Sequence, residues 1–132
     1  MKVFGLAYLT SALVFLGLDA VWLSQMGPRL YKPLLRGLLA EQVRPAPAII
    51  FYGLYVAGIV IFAVLPSPRP AMALWRGAVF GLIAYATYDL TNQATMRGWP
   101  SVITLADLAW GAFATAIAAT VACMICQWLL RS

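Results

Sequence analysis

Four long runs of mostly apolar residues divide the chain, and short polar or proline-bearing stretches separate them. The runs cover about Val3 to Gln25, Pro47 to Leu65, Leu74 to Thr95 and Ser101 to Leu130. A helix needs roughly 20 apolar residues to cross a bilayer, so each run predicts a span. The fourth is long enough to tilt or to project beyond the hydrocarbon. The pattern predicts an all-α integral membrane protein, a four-transmembrane-helix bundle forming a single domain over 1–132. The first run is too long for the apolar region of a signal peptide and lacks a small-x-small cleavage site, so it reads as a true span.

The longest connector is Met26 to Ala46. Within it, Arg29 to Leu39 mixes basic and apolar residues at roughly helical spacing, interrupted at Pro33 and Gly37. It predicts a short interfacial amphipathic segment between helices 1 and 2, with its basic side chains among headgroups. Pro66-Ser67-Pro68-Arg69-Pro70 cannot continue a helix. Met96-Arg97-Gly98-Trp99-Pro100 is a tight turn that makes spans three and four an antiparallel hairpin. Trp75, Trp99 and Trp128 lie at span ends, as an aromatic belt requires. Small residues recur at four-residue spacing in Gly77/Gly81, Gly111/Thr115/Ala119 and Ala114/Ala118/Ala122, which lets helix backbones approach closely.

Composition agrees. Of 132 residues, 64% are apolar and 10% charged, where a soluble domain carries about 25% charged residues. The net charge of +5 does not point to nucleic acid. The basic residues sit in loops and at helix ends, so their partners are membrane lipids. They divide almost evenly between the two membrane sides, which leaves orientation open. The lack of histidine removes His-ligated haem or zinc and Ser-His or Cys-His catalysis. Cys123 and Cys126 lie about 16 residues, roughly 24 Å, beyond Asp107 and read as buried apolar thiols.

The candidate chemistry is acidic. Asp19, Asp89 and Asp107 lie within spans, and Glu41 lies in the first connector. Spans one and three run in the same direction, and span four returns. Counted from the span ends, all three aspartates fall roughly 9 Å below the same membrane face. A carboxylate at a span centre costs about 2.5–3.5 kcal/mol on insertion scales and less near the interface. It must face the bundle interior, a water-filled cavity or another carboxylate. Three in one pocket cannot all ionise, so a proton is retained, or basic groups or a metal compensate. An all-oxygen set suits Mg²⁺, Mn²⁺ or Ca²⁺. Residues three apart share a helix face, which puts Trp22 with Asp19, Asn92 with Asp89, and Trp110 and Thr104 with Asp107. Tyr85 precedes Asp89 by one turn, Tyr52 and Tyr55 fall at similar depth, and Arg97 lies on the same side.

Tyr88-Asp89-Leu90-Thr91-Asn92, then Trp99-Pro100, then Asp107-Leu108-Ala109-Trp110-Gly111 resembles a bacterial family of four-helix predicted membrane proteins of unknown function. Length and the first-span aspartate also match. The resemblance implies a location in the bacterial cytoplasmic membrane and brings no activity with it.

Three functions compete. The first binds or acts on a lipid or other amphiphile. Its catalytic candidates are Asp19, Asp89 and Asp107, and Asn92, Trp22, Trp110, Tyr55, Tyr85, Thr104 and Arg97 contact the substrate, with Arg97 able to receive a phosphate. The second is a small proton- or cation-coupled transporter working as a homo-oligomer. The third is an accessory protein whose polar groups join its helices.

Overall fold

The computed structural model describes residues 2–34 and 45–131. These form four long helices, with no strand among the described residues. Helix α1 spans Lys2–Met26 and runs on through a π-helical turn, Gly27–Tyr31, into a last turn, Lys32–Leu34. Helix α2 spans Pro45–Ile59 and ends in a second π-helical turn, Val60–Val64. Helices α3 and α4 span Pro70–Thr95 and Ser101–Arg131.

Three of these are long and apolar enough to cross a membrane, namely Lys2–Tyr31, Pro45–Val64 and Ser101–Leu130. Helix α3 has sufficient length but carries Arg76, Asp89, Asn92 and Gln93, which lower its hydropathy. Large apolar side chains project outward, among them Leu13, Ile49, Leu54, Leu105 and Phe113. Water would not tolerate such a surface, whereas hydrocarbon solvates it.

Two predicted boundaries shift. The third helix begins at Pro70, four residues early, because proline fits the first helical turn and the extended Arg69 before it (φ −148°) leads in. The first helix does not stop near Gln25. The Gly27-Pro28 step, which reads as a break, is absorbed by the wider π turn. Of the predicted amphipathic segment, 29–34 therefore extends α1, and 35–39 lies outside the described residues.

Helices α3 and α4 pack most closely, through the predicted small-residue stripes. A Cβ on Gly77 would fall 2.8 Å from the Thr115 carbonyl oxygen and 2.9 Å from the Ala119 Cβ. On Gly81 it would strike the Gly111 backbone, and on Gly111 it would strike the Tyr85 ring. Gly81→Ala is thus expected to push the hairpin apart and cost about 1–3 kcal/mol, seen as a lower unfolding midpoint in detergent. An unchanged midpoint would mean that this contact does not hold the pair. Between the two helices, Gly98 adopts φ 73°, the left-handed region that glycine accepts without strain. At the other end, Gln127 Nε2 donates to the Pro68 carbonyl at 2.7 Å and pins the α2–α3 connector to α4.

Candidate acidic site

Asp19, Asp89 and Asp107 all turn inward. Asp89 is 0% exposed, and Asp19 and Asp107 are each 7% exposed. Buried carboxyls require hydrogen-bond donors, and tyrosines supply them. Tyr52, on α2, donates to Asp19 Oδ2. Tyr31, on the π turn, donates to Asp107 Oδ1. The Tyr31 oxygen in turn accepts from Trp22 Nε1 at 2.8 Å. The result is a chain running from Trp22 through Tyr31 to Asp107.

Side-chain direction explains how α1 reaches α4 in this way. Helical side chains lean towards their own N-terminus. Helices α1 and α4 run antiparallel, so Trp22 and Trp110 lean towards one another. Their rings stack with centroids 4.5 Å apart and planes at 10°. Tyr31 leans back in the same sense, down onto Asp107.

Asp89 stands differently. Neither of its oxygens receives a hydrogen bond from the described chain. Facing it is the carboxyl of Asp107. Asp19 lies close enough for its charge to bear on Asp107. The three aspartates thus occupy one neighbourhood. Their carboxyls turn to tyrosines and to each other rather than to one centre, and among the described residues no group of three or more is gathered for a metal ion.

The other candidates divide. Tyr55 pairs with Thr115 Oγ1 at 2.7 Å, below the aspartates. Tyr85 lies over Gly111 and edge-on to Tyr55 at 6.2 Å, with Asp19 and Tyr52 near its hydroxyl. Thr104, one turn before Asp107, accepts from Trp99 Nε1 at 3.1 Å, which closes the α3–α4 turn over this end. Trp110 Nε1 is buried and has no acceptor among the described residues. Asn92 is half-buried with Tyr88 beside it, and no hydrogen bond joins it to the aspartates. Arg97 is exposed in the turn, and no hydrogen bond or ion pair joins it to the aspartates.

Sequence reasoning placed Tyr31 in a connector and so missed it as a site residue. The signal for it is the lean of a tyrosine just past a span back towards that span's polar level. The two cysteines, both buried, lie at the opposite end, beside Ser67 and Val3.

A family model described as "Predicted membrane protein (DUF2177)" matches residues 4–124. No curated protein and no solved structure matches the chain.

Proposed function

We propose, for a chain that belongs to this family of predicted membrane proteins of unknown function, that the aspartate cluster binds the polar end of a membrane amphiphile and acts on it by proton transfer. That polar end is an amine or a hydroxyl. The observation carrying this reading is Asp89, a fully enclosed carboxyl that receives no hydrogen bond from the described residues. Carboxylates accept and do not donate, so the site lacks a donor or a cation. The stacked Trp22 and Trp110 add aromatic faces of the kind that hold ammonium groups. A phosphate end is disfavoured, because three carboxyls repel it and Arg97 stands outside. Asp89 and Asp107, two facing carboxyls, are the groups suited to general acid and base work. The site sits near headgroup level, where such an amphiphile presents its polar end, in a bacterial cytoplasmic membrane.

The test uses Trp22 and Trp110 as internal reporters. Protein in neutral detergent is titrated with a long-chain primary amine, and separately with the alkyl phosphate of equal chain length. The amine is expected to change tryptophan fluorescence saturably, and the phosphate to have no effect at the same concentrations. Equal responses would mean that chain partitioning alone is being measured, and the reading would fail.

A second reading rests on the same carboxyl pair. A buried site that exchanges a proton for a cation is what a coupled exporter needs, and a homo-oligomer of this small bundle would supply the pathway. Proteoliposomes with an imposed pH gradient separate the two. Amine accumulation that collapses with the gradient favours transport, and binding without accumulation favours the first reading.

A further inference from the structure

A groove of about 550 Å³ lies outside the aspartate cluster, between the π turn of α2 and the outer face of α3. Phe62, Trp75, Arg76, Val79, Phe80 and Ile83 line it. Phe62 and Phe80 form its floor, with ring centroids 5.9 Å apart, and Gly58 lets Phe80 settle against α2, since a Cβ there would come within 2.6 Å of the ring. The walls are apolar and open outward, to the side where lipid chains lie.

Arg76 is out of place on such a surface. It sits six positions after Pro70, roughly 9 Å along the helix, and it is exposed. No described residue hydrogen-bonds or ion-pairs with its guanidinium. Nor is an acid near it among the described residues, where Asp19, Asp89 and Asp107 gather at the other end of the bundle. Lys2 and Arg69 lie at the helix ends on this same side. Among the described residues this end therefore carries basic side chains and no acidic one, and Arg76 opens onto an apolar groove. A lone cation near the interface needs an anion or water, and an arginine fork matches a phosphate.

We propose that this groove is a binding site for an anionic phospholipid, with the phosphate on Arg76 and an acyl chain laid along Phe62, Phe80 and Ile83. The charge of this end and the apolar floor require both halves of that ligand. Inorganic phosphate lacks the chain, and a zwitterionic lipid brings a second cation to an already positive end. The site is separate from the aspartate cluster and does not depend on its function.

The test is lipid retention by native mass spectrometry, paired with thermal unfolding in neutral detergent. Phosphatidylglycerol is expected to stay bound and to raise the unfolding midpoint, while phosphatidylcholine of the same chains and inorganic phosphate do neither. Arg76→Gln should weaken phosphatidylglycerol binding by about fivefold or more, the weight of one basic residue at an anionic surface, and Arg69→Gln should weaken it less. Ile83→Trp fills the groove from an exposed position and keeps Arg76, so it should lower retention even where the arginine variant folds poorly. Equal retention of the two lipids, stabilisation by phosphate alone, or unaltered binding in Ile83→Trp would each overturn the proposal.

Discussion

Replacing Asp89 with Asn is expected to leave the bundle folded and to weaken amine binding at the aspartate cluster by roughly 30-fold or more, the loss seen when one partner of a buried charged pair is removed. The fold should survive because asparagine has nearly the shape of a protonated aspartate. Its amide can donate to Asp107. What it cannot do is carry a negative charge or take up a proton. Asp89 is also the one aspartate without a tyrosine donor, so its change leaves the Tyr52–Asp19 and Tyr31–Asp107 bonds in place. Unfolding midpoint and amine titration are measured on the same preparation. Binding within twofold of the parent, at an equal midpoint, would show that the carboxyl only joins helices, and the accessory reading would then be the better one. Asp89→Leu offers the contrast. It removes the polar contact with Asp107 as well, so it should lose binding together with part of the stability.

The aspartates were legible because depth is a one-dimensional quantity. The length of an apolar run and its direction of travel set it, and an error at the far end of the run does little harm. Helix α1 continues nine residues past the predicted end of its span, yet Asp19 still meets the level of Asp107. The small-residue stripes were legible for a related reason: Gly77, Gly81 and Gly111 have no use on a lipid-facing surface, and their spacing aligns them on one face of each helix. Rotation was not legible. Each helix is apolar on nearly every side, so no hydrophobic stripe says which face turns inward. That is why Asn92, one turn from Asp89, was grouped with it although no hydrogen bond joins the two. Arg97 was placed on the correct side, but side alone does not bring a turn residue into a buried cluster. Tyr31 was hidden by local chemistry of another kind. Gly27-Pro28 looks like a helix stop, and the π turn that accommodates it has no simple sequence signature.

Tyr31 carries the other large effect. Its oxygen joins two groups, accepting from Trp22 and donating to Asp107. Tyr31→Phe keeps the ring and deletes that oxygen, which leaves an indole N–H and a carboxyl oxygen each short of a partner. Orphaned buried groups of this kind cost about 1–3 kcal/mol, so the unfolding free energy in a denaturing-detergent titration should fall by that order. Asp107→Asn removes the charged acceptor and should also destabilise. The informative quantity is their sum. If Tyr31 and Asp107 act through one bond, the double variant loses less than the two single losses added, with a coupling of about 0.5–3 kcal/mol. Additive losses would mean that the two residues stabilise the protein separately. The Trp22 emission gives an independent reading, since its N–H loses its acceptor in Tyr31→Phe and keeps it in Asp107→Asn. A spectral change confined to the tyrosine variant would place the break between Trp22 and Tyr31. That end of the chain of bonds is the one nearest the membrane face, so a ligand entering from the headgroup level would have to displace Tyr31 before reaching Asp107 and Asp89. Tyr31→Phe, whose ring is no longer held by either hydrogen bond, should then bind the amine faster than the parent does, even as its stability falls.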